Sequence, residues 1–157
     1  MIRVGIGWDL HQLAPERPFI LGGIRIPATA GELGHSDGDA LTHAVIDAVL
    51  GAAALGDIGE LFPPGDPAWK DAASLGLLAI AWDRCRAAGW HLVNLDCVVI
   101  CDEPKILPWR NAIRKSLGGV LQAPMEQIFL KGKTWEGTAN GSIAVEAHGV
   151  ALLERAD

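Results

Sequence analysis

The stretch IRVGIGWDLH, residues 2–11, is the part of the sequence around which the fold can be built. Its large apolar residues alternate with small or polar ones, and this two-residue period is typical of a β-strand. Residues two apart in a strand point to the same side, so Asp9 and His11 face the same way. The stretch therefore predicts a strand that ends in a carboxylate and an imidazole directed to one side.

The segments that follow predict a mixture of strands and helices. Gly22 and Gly23 separate two short apolar runs, and paired glycines supply the positive φ angles of a hairpin turn. Ser36 or Asp37 is expected to cap the first helix, and Ser74 the second. The predicted elements are a strand at 2–11, a hairpin at 19–26, a helix from about residue 41 that ends near Gly51 or Gly56, a loop at 56–67, a helix from Ser74 that stops at Gly89, a strand at 92–101, a helix from about Pro108 to Leu117, and strands at 128–131 and 143–153.

This order of elements predicts an α+β fold. The chain has 157 residues, half of them apolar, which suits a single domain over residues 1–157. We expect a sandwich in which helices cover one face of one mixed β-sheet. Within that class we assign the sandwich to the ferredoxin-like type.

Composition excludes several classes of partner. The formal net charge is −6, and an acidic chain lacks the basic surface that DNA or RNA binding needs. No apolar run reaches the roughly 20 residues of a membrane span, and no signal peptide is visible, so we expect no membrane contact and a cytoplasmic protein. The three cysteines, interpreted as buried side chains, fit a reducing compartment.

Asp9, His11 and His43 are candidate metal ligands. His43 lies on the first predicted helix, and the three residues together offer one carboxylate and two imidazoles. Such a set leaves an open position on a bound cation, which is how catalytic zinc sites are built. Asp47, about one turn after His43, is expected to orient the ring of His43. A loop-capping role for Asp9 and His11 explains the same spacing.

Two polar segments near the first helix each have two interpretations. His35 and Ser36 precede the helix, whose free N–H groups favour a phosphate, and simple capping explains them equally well. The following loop contains Asp57 and Asp66 among glycines and prolines, a composition that turn chemistry explains.

A third polar segment follows the predicted strand at 128–131. Lys133 and the hydroxyl of Thr134 are suited to phosphate oxygens, and Glu136 is suited to Mg²⁺ or Mn²⁺, which prefer oxygen ligands. An exposed charged turn is the alternative interpretation of these residues.

An ordered set of motifs extends over nearly the whole chain. They are GIGWDLH at 5–11, GGIRIP at 22–27, HSDGD at 35–39, LGAAALGDIG at 50–59, FP at 62–63, PKILP at 104–108 and KGKTWE at 131–136. This set resembles the 2-C-methyl-D-erythritol 2,4-cyclodiphosphate synthase family. The resemblance implies an enzyme of the non-mevalonate isoprenoid pathway, a metal-dependent phosphorus–oxygen lyase. Its reaction would cyclise 4-diphosphocytidyl-2-C-methyl-D-erythritol 2-phosphate and release CMP.

The resemblance also implies roles for individual residues. The residues implied to bind a zinc-like cation are Asp9, His11 and His43, and Glu136 would hold Mg²⁺ or Mn²⁺ between substrate phosphates. The residues implied to stabilise the transition state are His35 and Thr134. The implied substrate-binding residues are Asp9, His11, His35, Ser36, Asp57, Ile58, Gly59, Phe62, Asp66, Cys101, Pro104, Lys105, Ile106, Leu107, Lys133, Thr134, Trp135 and Glu136.

The family resemblance further implies a homotrimer with active sites between subunits and with the strand around Glu146 near its axis. The chain differs from the family pattern at Lys133, at Pro64 and in the short segment 137–141. Two other functions fit the same residues. One is a metal-dependent phosphohydrolase that uses an activated water, and the other is a non-catalytic trimeric sensor of metal or nucleotide.

Overall fold

The computed structural model describes residues 1–34, 36–69, 71–138 and 143–156. In these ranges the strands are β1 (Ile2–Pro15), β2 (Phe19–Leu21), β3 (Ile24–Ile26), β4 (Ala30–Glu32), β5 (His91–Ile100), β6 (Ile128–Lys133) and β7 (Ala144–Glu154). The α-helices are α1 (Ala40–Ala53), α2 (Ile58–Leu61), α3 (Ser74–Ala87) and α4 (Arg110–Leu121). Short 3-10 turns occur at Pro67–Trp69, Leu107–Trp109 and Met125–Gln127.

Five strands form one mixed sheet in the order β4-β1-β7-β5-β6, and β2 and β3 form a separate hairpin. β7 is antiparallel to both of its neighbours, β1 and β5. β5 and β6 are parallel, because the chain crosses between them through α4. The predicted α+β fold with one mixed sheet is therefore confirmed.

The ferredoxin-like assignment is wrong. That type has the order β-α-β-β-α-β. Here the long elements around the main sheet follow the order β1, α1, α3, β5, α4, β6, β7, with a helix between β5 and β6 and none between β6 and β7. The parallel pairing of β5 with β6 is a direct consequence of that crossover helix.

Helix α1 lies directly on β1 because two glycines remove the side chains between them. A Cβ atom on Gly7 would stand 1.8 Å from the carbonyl oxygen of Ala44, and one on Gly5 would stand 2.1 Å from that of Ala48. Backbones this close require glycine on the strand. The contact brings His43, which precedes Ala44, next to the continuation of the same face of β1.

The helices cover one face of the sheet, as predicted. Along β1 the odd-numbered residues from Gly5 to His11 face α1, whereas the even-numbered ones point away from the helices. On this second face Ile6 is 71% exposed and Val4 is 66% exposed. Such a continuous apolar strand face is unusual on a monomer surface.

Several local predictions were wrong. Short β4 was not predicted, and α2 lies inside the predicted loop at 56–67. The first helix is capped by Asp39, whose side chain accepts from the N–H of Thr42 at 2.9 Å, rather than by Ser36 or Asp37. Asp39 also accepts from the two hairpin glycines, so one buried carboxylate joins the hairpin to α1. None of the helices in the described ranges is long and apolar enough to cross a membrane.

Candidate active site

Asp9, His11 and His43 converge as the sequence predicted. One ligand atom from each lies within 4.8 Å of the other two. Oδ2 of Asp9 is 2.9 Å from Nε2 of His11 and 2.9 Å from Nδ1 of His43. The strand period places Asp9 and His11 on one side, and the close packing of α1 on β1 adds His43. Two imidazoles and one carboxylate are a donor set that fits a zinc-like cation.

The second ring nitrogen of His11, Nδ1, has two hydrogen-bond acceptors close to it. Its Nδ1 is 2.7 Å from the carbonyl oxygen of Gly38 and 3.2 Å from Oε2 of Glu32. Both of these atoms accept, so Nδ1 carries a proton, and Nε2, which faces Asp9, is the nitrogen available to a cation. Glu32 is fully buried and was not identified from the sequence, because its role depends on the position of β4 beside β1.

The cluster is electrostatically coupled. Burial raises the pKa of Asp9, but hydrogen bonds and charge from His11 and His43 outweigh it, so the net shift is downward. Burial lowers the pKa of His11, and the carboxylates of Asp9 and Glu32 more than offset this, raising the pKa to about 10. Burial also raises the pKa of Glu32 to about 8. Carboxylates that favour a positive imidazole in this way also favour a bound cation.

The ring of His43 is oriented by serines, and the prediction that Asp47 orients it is wrong. Nε2 of His43 lies 2.9 Å from Oγ of Ser36 and 2.9 Å from Oγ of Ser74. Asp47 instead accepts from the N–H of Ile58 at 2.8 Å, which fixes the start of α2 against α1.

A cavity of about 270 Å³ opens beside the cluster. Its lining includes the cluster itself and Ser36, together with Ile58, Gly59 and Phe62 from the α2 region. Two residues predicted to bind substrate here, Asp57 and Asp66, do not line it. Asp57 caps α2 through the N–H of Glu60 at 2.8 Å, and Asp66 accepts from Ala68 at 2.9 Å. For these two carboxylates the observed contacts are turn contacts. His35 lies outside the described residues.

A second pocket of about 300 Å³ lies at the ends of β5 and β6. Of the predicted substrate-binding residues it contains Cys101, Lys105, Ile106, Leu107, Lys133, Thr134 and Glu136. Oγ1 of Thr134 donates to Oε1 of Glu136 at 2.5 Å. Trp135 turns away, since its Nε1 donates to the carbonyl of Ala144 at 3.1 Å, and Pro104 lines a neighbouring cavity.

Arg110 also lines the second pocket and was missed in the sequence. Its guanidinium lies 5.2 Å from the ring centre of Phe129, a strand residue 19 positions later. Among the described residues it has no carboxylate partner, and the same holds for Lys133. The pocket therefore concentrates positive charge in an otherwise acidic chain, which suits an anion.

The two pockets lie on different parts of one chain. Asp9 is paired with Ala147, Ala147 with Val99, and Val99 with Gly132. Three strand spacings correspond to about 14 Å across the sheet. A ligand that uses the metal-ligand cluster and the basic pocket together has to bridge that distance or to draw on two copies of the chain.

Fold and pockets together define a class: an α+β domain with a cluster able to hold a divalent cation and a separate basic pocket suited to an anion. A family model described as "YgbB family" matches residues 2–154. The chain belongs to the YgbB family.

Relatives and solved structures agree with this membership. The 2-C-methyl-D-erythritol 2,4-cyclodiphosphate synthase of Treponema denticola is 54% identical over 136 residues, which are 87% of this chain and 84% of that protein. A solved CDP-bound form of such a synthase is 43% identical with a TM-score of 0.91 and is matched over 97% of this chain and 100% of that one. The bifunctional IspDF from Campylobacter jejuni is 36% identical with a TM-score of 0.94; the match spans all of this chain but 43% of that chain.

Proposed function

We propose that this chain cyclises 4-diphosphocytidyl-2-C-methyl-D-erythritol 2-phosphate to 2-C-methyl-D-erythritol 2,4-cyclodiphosphate and releases CMP, as a step of non-mevalonate isoprenoid synthesis. The observation that carries the proposal is the convergence of Asp9, His11 and His43 at a cavity. It occurs in a chain whose relatives bear the name of this synthase.

The reaction is an intramolecular phosphoryl transfer. An oxygen of the 2-phosphate forms a bond to the β-phosphorus, the bond from that phosphorus to the bridging oxygen breaks, and CMP leaves with that oxygen. Both reacting groups are anions, so the barrier comes largely from charge repulsion and misalignment. A cation held by Asp9, His11 and His43 would supply positive charge at the β-phosphate.

The chain's own residues bind and orient the substrate. The cavity beside the cluster takes the sugar-alcohol phosphate, and Ser36 donates to it from the cavity wall. The basic pocket takes the cytidine nucleotide through Lys105 and Lys133. Thr134 and His35 stabilise the transition state. Each of these roles is part of the proposal, as are the further substrate contacts of Asp57, Asp66, Pro104 and Trp135 implied by the family resemblance.

Glu136 would hold a second cation, Mg²⁺ or Mn²⁺, which would offset negative charge on the diphosphate of the substrate. The exposed carboxylate of Glu136 lies in the basic pocket beside the hydroxyl of Thr134. One carboxylate is a sparse protein contribution, and Mg²⁺ sites of this kind take their other ligands from phosphates and water.

A homotrimer completes each active site in this proposal. The metal-ligand cluster and the basic pocket of one chain are about 14 Å apart across the sheet, so each active site combines the cluster of one subunit with the basic pocket of its neighbour. The apolar sheet face around Ile6 supplies the contact surface. On that face Glu146 accepts from Trp8 at 2.9 Å and lies 2.6 Å from Nε2 of His148, and this strand lies near the trimer axis.

Residues 1–157 act as one catalytic domain in the cytoplasm. The three cysteines are free and buried, which fits a reducing compartment.

A product assay tests the function. Purified protein is incubated with the cytidine-diphosphate substrate and Mg²⁺, with and without a chelator, and followed by phosphorus NMR. We expect equimolar CMP and cyclic diphosphate, both lost on chelation. CMP with an open-chain diphosphate would instead establish a phosphohydrolase, and nucleotide binding without turnover would establish a sensor.

His43→Ala connects that activity to the cluster. We expect it to abolish cyclisation and to leave the chain folded, because the ring lies at the cavity wall. His91→Ala is the matched control, since His91 is an exposed histidine on β5 outside both pockets. Full activity of His43→Ala would remove the cluster from the mechanism.

A further inference from the structure

The imidazole of His43 has a different partner on each nitrogen. Nδ1 faces Oδ2 of Asp9 at 2.9 Å, on the side where a cation would bind. Nε2 faces the hydroxyls of Ser36 and Ser74, each at 2.9 Å. A neutral imidazole carries one N–H, so the partners of Nε2 decide whether Nδ1 presents a lone pair.

Ser74 is fully buried, and its hydroxyl proton is already used. Its Oγ donates to Oδ1 of Asp37 in a short hydrogen bond. The same carboxylate is held in place, since Oδ2 accepts from the N–H of Ser74 at 3.0 Å and Oδ1 accepts from that of Asp39 at 3.3 Å. A hydroxyl that donates to a carboxylate can only accept from His43, so Nε2 must carry the proton.

Two further observations separate this role from helix capping. Ser74 is the first residue of α3, and the capping position before it is held by Ala73, which makes no side-chain capping hydrogen bond, so the predicted capping role of Ser74 is wrong. Ser36 in turn lines the cavity. Because Nε2 carries the proton, the hydroxyl oxygen of Ser36 can only accept from it, so the hydroxyl proton of Ser36 is not used by His43.

We propose that Asp37 and Ser74 are positioning residues that fix the tautomer of His43, so that Nδ1 presents its lone pair to a divalent cation. This inference rests on the cation site of the proposed function. The carboxylate–hydroxyl–imidazole chain is the counterpart, on α1 and α3, of the Glu32 and Gly38 contacts that fix His11. Both imidazoles of the cluster are thereby held as acceptors towards the cation.

The test measures cation binding directly, with Co²⁺ as the probe. Titration calorimetry gives the affinity, and the visible absorption of bound Co²⁺ reports its ligand geometry. We expect Ser74→Ala to weaken Co²⁺ binding by about 10- to 100-fold, the usual effect of losing a partner behind a metal-bound histidine. Its absorption spectrum should change as well, which a purely structural role of Ser74 would not cause. Ser116→Ala on α4 is the matched control.

Asp37→Asn provides a second measure that retains side-chain size. An amide can accept only one of the two hydrogen bonds that Ser74 donates, so we expect weaker Co²⁺ binding and an altered spectrum here too. Wild-type affinity and spectrum in both folded variants would overturn the inference and leave the cation site intact. A wild-type protein that binds no Co²⁺ would overturn the cation site and the inference with it.

Discussion

Replacing Gly7 with alanine tests whether the contact between strand and helix builds the metal-ligand cluster. The new Cβ would lie 1.8 Å from the carbonyl oxygen of Ala44, whereas ordinary contact begins at 3.4 Å. The difference requires α1 to withdraw by about 1.6 Å. Overpacking of this kind costs about 1–3 kcal/mol. For a chain of this length each kcal/mol lowers the melting temperature by roughly 2–4 °C.

The displacement of α1 should weaken cation binding by the metal-ligand cluster more than it lowers the stability of the fold. His43 precedes Ala44 on the displaced helix, and its Nδ1 is 2.9 Å from Asp9. Metal ligands tolerate errors of about 0.2 Å, so a displacement several times larger should remove His43 from the cation. We therefore expect Gly7→Ala to lower the melting temperature and to weaken Co²⁺ binding, measured by differential scanning fluorimetry and titration calorimetry.

Gly51→Ala is the matched control on the same helix. A Cβ at Gly51 meets no atom within 4 Å, and alanine is favoured over glycine in a helix by up to about 1 kcal/mol. This variant should be at least as stable as the wild type and should bind Co²⁺ with unchanged affinity. If Gly7→Ala behaves like Gly51→Ala in both assays, the strand–helix contact does not position the cluster.

Three further predictions concern other parts of the chain. Burial raises the pKa of Cys97 to about 12, and a thiol reacts as the thiolate. At pH 8 the native protein should therefore resist a thiol-specific dye, whereas the denatured protein should react at all three of its cysteines. Arg110→Gln should raise the Kd for CMP about tenfold by calorimetry, while Arg86→Gln, which removes a charge paired with a neighbouring aspartate on α3, should leave it unchanged. Ile6→Glu should reduce the sedimenting mass towards the 16.6 kDa of one chain, and an unchanged mass would exclude the sheet face from the contact surface of the proposed trimer.

The sequence predicted the candidate metal ligands partly from a local period and partly from the family resemblance. Asp9 and His11 share a strand face by the two-residue period, and the packed face of α1 brings His43 to them. Gly5 and Gly7 belonged to the same motif, but their purpose became visible only once the 1.8 Å and 2.1 Å approaches of α1 were known. The sequence pattern thus indicated which side chains share a face of β1, and the structure gave the distance between β1 and α1.

The residues behind those ligands could not be predicted in the same way. Glu32 contacts His11 from another strand, and Ser74 contacts His43 from a helix 31 positions later. Neither pair has a local spacing that signals it. Ser36, Asp37 and Asp39 are all acceptable helix caps by residue type. Asp39 takes the capping position, which frees Asp37 to bond with Ser74 and leaves Ser36 at the cavity wall.

An acidic chain can act on a substrate with several phosphates because its charges are segregated. Two carboxylates, the partly buried Asp9 and the fully buried Glu32, lie next to the imidazoles of the cluster, where they favour positive charge and raise the pKa of His11. Its unpaired cations among the described residues include Arg110 and Lys133, which line the other pocket. Repulsion from the net charge of −6 is screened beyond about 8–10 Å at ordinary ionic strength. At contact distance the proposed substrate would therefore meet local positive charge at the basic pocket and at a cation held by the cluster, although the molecule as a whole is negative.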